Sequence, residues 1–285
     1  VLRWEDEHRC RLRDPRGSGP PRRRPHHHRP EQKVPTCPDW TAADLLWHLT
    51  EVHEFWGAVL AHGVTREEEA EKLEESAAPR PERFEELLAR RVAATEALLE
   101  QFDAHEDEEP AWFWYSAEQT VSVIRRMQTH EATIHRVDAE LAAGRRVTPI
   151  APQVAHAGLD HVLRVMWPAA VEWIPEWAEI APVAVAEITA EAGQPRRLLI
   201  SRWSGTRPRD GREFDAPVGR LVTDEDETDG LPRADVSGAP LALDLWAWGR
   251  GQALDHLSGR SEKVEIVGDQ AAVAQMEALI AEGHD

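Results

Sequence analysis

Leu45, Leu49, Val52, Trp56 and Val59 recur at the 3.6-residue spacing of a single helical face. The pattern predicts a helix that opens at Thr41 and closes at Gly63, with Thr41 and Asp44 resembling a capping box in which Asp replaces Glu or Gln. His48 falls on or beside this stripe, one turn from Leu45 and Val52. The stretch "TREEEAEKLEESAAPRPE" has no such stripe and reads as a charged linker. A second helix, "RFEELLARRVAATEALLEQF", takes its buried side from Phe84, Leu87, Leu88, Val92, Leu98 and Leu99. An acidic loop and the aromatic cluster "AWFWY" lead to a third helix from Ser116 to Ala143, with Gly144 just beyond its end. A fourth, "PQVAHAGLDHVLRVMW", is expected to stop at Pro168.

After residue 180 the period changes. "VAVAEITAE" and "RRLLISRWSG" alternate apolar and polar residues as strands do, and "ADVSG" and "KVEIVGD" are two shorter ones. A helix-like "PLALDLWAWGRG" separates the last two, and "DQAAVAQMEALIAEG" forms a terminal helix. Helices followed by mixed strands and helices predict a two-domain, mixed α and α+β chain: a helical domain over residues 34–178 and a small α+β domain over 179–285. Residues 1–33, rich in Arg, Pro, Gly and His, show no apolar periodicity; they read as an unstructured tail or an off-frame start. The run His26, His27 and His28 would be a metal tract in another context.

With 33 Lys and Arg against 52 Asp and Glu, the net charge of −19 argues against nucleic acid and against an anionic membrane surface. No apolar run is long enough to span a bilayer, and a cytoplasmic protein, monomer or homodimer, is expected. The two cysteines, Cys10 and Cys37, make no disulfide framework in a chain of this length. If thiol chemistry occurs here, the thiol comes from outside. Cys37 reads as a structural residue where the first helix begins.

The chemistry concentrates in "MQTHEATIHRVDAE", residues 127–140. Residues five apart on a helix diverge by about 140°, so His130 and His135 cannot share an ion. Glu131 and His135, four apart, share a face and offer an oxygen and a nitrogen ligand suited to Zn²⁺. A third ligand must come from another helix, and His48 is the best-placed candidate, which would leave one coordination position open. Asp138, one turn past His135, would accept a hydrogen bond from the imidazole behind the metal. Each residue also has an ordinary reading: His48 as a core residue, Glu131 with His135 as a surface pair, Asp138 as a solvated charge. His53, five residues after His48, falls off its face and is set aside. Trp112 and Trp114 read as core residues or as a pocket wall.

Together, "VPTCPDWTAADLLWHLTEVHEFW", "HEATIHRVDAELAAG" and the later "SGAPLALDLWAWGR" resemble the mycothiol-dependent maleylpyruvate isomerase family. The resemblance implies a DinB-like up-down four-helix bundle followed by a sterol-carrier-like α+β domain. It implies a divalent metal, typically zinc, on His48, Glu131 and His135, and mycothiol, the actinobacterial thiol, as cosubstrate. It also implies a role for Arg250 in binding or polarising a carboxylate or carbonyl of a small electrophile; the ordinary reading of that residue is an Arg at a helix C-terminus complementing the dipole. The function expected is a thiol transferase or isomerase. A non-catalytic metal- or thiol-binding protein and a zinc hydrolase are the rivals. Relatives carry a helix ahead of "PTCP" where this chain has its Arg/Pro stretch.

Overall fold

The computed structural model describes residues 30–191, 193–259 and 261–283. The histidine run at 26–28 and most of the tail lie outside them. Described structure begins before residue 34, with a small hairpin of β1 (Lys33–Val34) and β2 (Cys37–Thr41). Helix α1 (Ala42–Ala61) follows directly, and its start is a complete capping box. The Thr41 hydroxyl accepts from the Asp44 amide at 3.2 Å, and the Asp44 carboxylate accepts from the Thr41 amide at 2.7 Å.

The charged stretch expected to be a linker contains a helix, α2 (Glu67–Glu75), whose single buried residue is Ala70. Ala70 and the partly buried Leu73 are too few to show a periodic stripe. Helix α3 (Phe84–Ala104) buries Leu87, Ala94, Leu98 and Phe102, whereas Val92 and Leu99 are 58% and 55% exposed, contrary to expectation. The buried set follows one stripe at steps of seven, four and four. Val92 stands five residues from Leu87 and so points elsewhere.

Helix α4 (Val121–Ala142) starts five residues later than the pattern suggests, because Thr120 bridges back to Pro110. It ends where Gly144 takes a left-handed φ of +65°. Helix α5 (Pro152–His161) does not stop at Pro168. A π turn (Val162–Met166) widens the coil and places Pro168 at the start of α6 (Trp167–Glu172), where a missing N–H is tolerated.

The C-terminal half is a five-stranded sheet in the order β5-β4-β3-β6-β7. Its strands are β3 (Glu179–Ala190), β4 (Arg196–Thr206), β5 (Glu213–Leu221), β6 (Arg233–Gly238) and β7 (Val264–Gly268). Only β3 and β6 run parallel. Strand β5, "EFDAPVGRL", escapes the sequence pattern because Pro217 interrupts it, yet it pairs with β4 along its whole length as an edge strand. Helix α7 (Pro240–Ala247) and a 3₁₀ turn (Gly251–His256) lie between β6 and β7, and α8 (Gln270–Glu282) closes the chain over the sheet. Among the described residues there are thus eight α-helices and one five-stranded sheet, a mixed helical and sheet protein. No helix among the described residues is long and apolar enough to cross a membrane.

The two halves share one apolar cluster, which includes Ile134 and Leu159 from the helices, Leu243 from α7, and Ile188 and Leu198 from the sheet. Helix α7 comes so close to α5 that a Cβ at Gly158 would lie 2.2 Å from the Asp244 carboxylate. Asp244 is 2% exposed, and burial pushes its carboxyl well above the ordinary range. A raised carboxyl pKa means that the folded state holds the proton more tightly than the unfolded chain. Its contribution to stability is therefore complete below about pH 4 and declines as pH rises from there toward the folded value. Asp244→Asn, which removes this titration, should gain on the order of 1 kcal/mol relative to the native chain between pH 5 and pH 8. Equal shifts of thermal midpoint at both pH values would show that Asp244 is not buried as a neutral acid.

Candidate metal centre

Three helical side chains meet between α1 and α4. His48 Nε2 lies 2.7 Å from Glu131 Oε1, and His135 Nε2 lies 3.1 Å from the same oxygen. One nitrogen from each histidine and a Glu131 oxygen all fall within 4.8 Å of one another. Helix geometry explains the pair on α4: Glu131 and His135 are four apart and project one above the other. His48 arrives from α1, which the capping box fixes at Thr41. The trio is buried, at 5%, 7% and 1% exposure for His48, Glu131 and His135. The His48 and His135 rings meet edge-on with centroids 4.8 Å apart, and the half-buried Trp40 covers both at 4.9 and 5.9 Å.

Behind His135 stands Asp138. Its Oδ2 lies 2.7 Å from His135 Nδ1, so a neutral His135 carries its proton there and leaves the Nε2 lone pair facing Glu131 and His48. The same carboxylate accepts from Arg250 twice, Nη2 to Oδ2 at 2.9 Å and Nε to Oδ1 at 3.2 Å, and also from the Thr36 hydroxyl. Arg250 is 2% exposed; its Nη1 donates to the Trp248 carbonyl at 2.9 Å, and its Nη2 lies 3.5 Å from Cys37 Sγ. The guanidinium thus faces Asp138 from inside the protein. Its observed contacts place it in a line Arg250–Asp138–His135 that ends at the trio, not in direct contact with the trio. Cys37 is buried with Val34, Leu45 and Ala142.

The other sequence candidates separate cleanly. His130 is buried on a different side, its ring 5.3 Å from His161 and 6.5 Å from Trp248, and burial with the charge of Arg126 lowers its pKa to about 4. Trp112 and Trp114 pack against Trp56 and Phe113. His53, set aside from the sequence, is 5% exposed and feels the charges of both Glu131 and His48. Thr36 and Trp40 also reach the site without having been singled out. Their sequence signal was their place in the "VPTCPDW" stretch that leads directly into α1.

Charge is what the cluster lacks. Burial pushes the carboxyls of Glu131 and Asp138 up. Around Glu131 the His135 charge and hydrogen bonds from both histidines outweigh burial, and around Asp138 Arg250 and His135 do so. Both are held well below the usual carboxylate range. Burial likewise pulls His135 down, yet Glu131 and Asp138 overcome it and raise its pKa to about 10. With neutral histidines, two carboxylates would face one guanidinium. A proton on His135 or a cation among the three ligand atoms restores the balance. Two imidazole nitrogens and one carboxylate oxygen suit Zn²⁺ or a similar divalent ion, and the Asp138 contact orients one of the imidazoles.

Residues 22–140 match the family model described as the mycothiol maleylpyruvate isomerase N-terminal domain. The matched stretch includes His48, Glu131, His135 and Asp138 and leaves Arg250 outside. Comparison with curated proteins gave no match, and neither did comparison with solved structures.

Two outcomes follow from the charge balance. The imidazolium stabilises the metal-free fold fully below pH 6.5, and that contribution is lost as pH rises through about 10. Zn²⁺ must displace the same proton, so uptake at pH 7 should release about one proton per ion and affinity should rise with pH over this range. A weakly buffered titration with a pH indicator measures it; proton-neutral uptake would place the ion elsewhere. Separately, Arg250→Ala leaves Asp138 buried without its guanidinium and should cost about 3–5 kcal/mol in denaturant unfolding. Adding Asp138→Asn should recover part of that loss, and strictly additive effects would deny the pair.

Proposed function

We propose that this chain, whose residues 22–140 belong to the mycothiol maleylpyruvate isomerase N-terminal domain family, binds a divalent metal, best fitted by Zn²⁺, on His48, Glu131 and His135 and uses mycothiol on a small electrophile. The observation that carries this reading is the convergence of His48 Nε2 and His135 Nε2 on one Glu131 oxygen, with Asp138 bonded to the far side of the His135 ring. Family membership supplies the mycothiol. The geometry supplies the donor set. The chain fits an external thiol, since its one described cysteine, Cys37, is buried against Arg250.

A divalent ion held there would lower the pKa of a bound thiol and favour its thiolate at neutral pH. The remaining work falls to the chain's own groups. Glu131 supplies one negative charge and His48 and His135 none, so the set stays electron-poor enough to favour an anionic sulfur. Asp138 fixes the tautomer of His135, and Arg250 keeps Asp138 ionised. Trp40 and the surrounding core keep water away from the sulfur. Addition of the thiolate to a C=C conjugated with a carbonyl forms a C–S bond as the π pair moves onto the carbonyl oxygen as an enolate. That leaves a single bond between the two former alkene carbons. Proton uptake by the adduct completes a transfer, whereas rotation within it and expulsion of the thiolate give an isomerisation.

In this reading Arg250 orients the centre through Asp138 and does not bind the substrate carboxylate or carbonyl itself. Residues 34–178 form the DinB-like up-down bundle and residues 179–285 the sterol-carrier-like domain. The use of mycothiol places the reaction in the cytoplasm. The deep burial of all three ligands favours one alternative, a metal- or thiol-binding protein without turnover.

Purified protein should hold about one Zn²⁺ per chain and His48→Ala should lose it, as metal analysis would show; full retention would remove His48 from the ligand set. With a panel of electrophiles, the loaded protein should consume mycothiol and the stripped protein should not. Binding without consumption supports the non-catalytic alternative, and turnover without thiol supports a hydrolase.

A further inference from the structure

Beside the trio lie buried polar groups that the reading above does not use. His53 on α1 receives a hydrogen bond at 2.6 Å from Arg91 Nη1 on α3, at its Nδ1 atom. A guanidinium has no lone pair to offer, so Nδ1 is the acceptor. A histidine accepting at Nδ1 carries its proton on Nε2. Burial and then the Arg91 charge lower the pKa of His53 to about 4, against the opposing pull of Glu131, so the ring is neutral at pH 7. Arg91 itself also touches Thr95, and no carboxylate pairs with it among the described residues.

That leaves the Nε2–H, on the edge of the ring turned away from Arg91, enclosed and without a protein partner. Gln128 on α4 is 4% exposed, and neither its amide oxygen nor its amide nitrogen has a protein partner. It lies three residues before Glu131, on the same helical face. Structural histidines and glutamines buried this deeply ordinarily engage their polar atoms with the protein. Here three such atoms come from the two helices that also supply the metal ligands.

We propose that His53 and Gln128 form an acceptor-oxygen subsite beside His48, Glu131 and His135. The His53 Nε2–H, set by Arg91, and the Gln128 amide N–H together donate to a carbonyl or carboxylate oxygen of the small ligand. A neutral imidazole in this role polarises the acceptor without adding a charge that would compete with a cation nearby. The arrangement is asymmetric by construction. Arg91 forbids the other tautomer, so the His53 edge of the subsite selects ligands that bring an acceptor there. The subsite deepens the metal-and-thiol reading by giving the electrophile a docking point, and it depends on that reading for the identity of its ligand as substrate.

The test uses the full chain, Zn²⁺-loaded and metal-free, with its imidazole ¹⁵N resonances read at pH 7. Acetate and acetamide serve as the probes, one for a carboxylate and one for a neutral carbonyl. His53 should show a protonated Nε2 and a bare Nδ1, and one probe or both should move its Nε2–H resonance. His53→Asn keeps an acceptor for Arg91 but its shorter amide withdraws the N–H from the Nε2 position, and should weaken that probe about tenfold. The same substitution should leave Zn²⁺ affinity within about a factor of three. Gln128→Met, close in shape and apolar, should weaken the probe without altering the His53 tautomer. A proton on Nδ1, or a Nε2–H resonance unmoved by both probes, overturns the subsite; either result is read on the native chain and needs no variant to fold. Failure to bind Zn²⁺ or to use mycothiol would overturn the earlier reading instead, while leaving these resonances measurable.

Discussion

The Asp138 carboxylate is the point on which the molecule turns. It is fully buried, it is ionised, and it is shared between His135 on its own helix and Arg250 from far along the chain. An isolated carboxylate at that depth would be protonated or would not be buried at all. Arg250 makes the charge tolerable, Thr36 adds a hydrogen bond, and His135 turns its Nδ1 to the same carboxylate. The hairpin, α1, α4 and the turn after α7 all approach this group. The helical half and the sheet half therefore share more than apolar surface.

This arrangement separates two kinds of polar burial in the protein. Around Asp138, charges are matched with short, well-directed contacts, as a pair worth retaining in a low dielectric must be. Asp244, a few residues before Arg250, has its carboxyl pushed well above the ordinary range by burial and lies against Gly158 of α5. His53 and Gln128 are neutral, but they keep unmatched donors inside the bundle. The first group ties His135 to Arg250, the second lies in close contact with α5, and the third leaves polar atoms without a protein partner among the described residues.

Periodicity made α1, α3, α4 and four of the five strands of the large sheet legible, because each carries apolar residues at the spacing of its own element. It failed where burial is sparse or interrupted. Helix α2 buries only Ala70, β5 contains Pro217, and the hairpin at Val34 and Cys37 is too short and too rich in proline to show alternation. At the site, the four-residue spacing of Glu131 and His135 and the stripe bearing His48 made the three residues candidates. The family resemblance singled them out, and the structure brings their ligand atoms within 4.8 Å of one another. The same one-face logic set His53 aside. It is about 140° from His48, but α1 is flanked by both α3 and α4, and a helix with two neighbours buries two faces. Arg250 was visible as a residue of interest. What it touches was not, since no local pattern links it to Asp138 across 112 positions.

That separation has a consequence for how the protein comes into being. His48, Glu131, His135 and Asp138 leave the ribosome well before Arg250 does. Until Arg250 arrives, the nascent bundle holds an anion without its partner, and domains generally fold as units in order of synthesis. The turn after α7 therefore delivers the guanidinium that pairs with Asp138. A chain interrupted before it retains every metal-ligand candidate, yet lacks the charge that lets them settle.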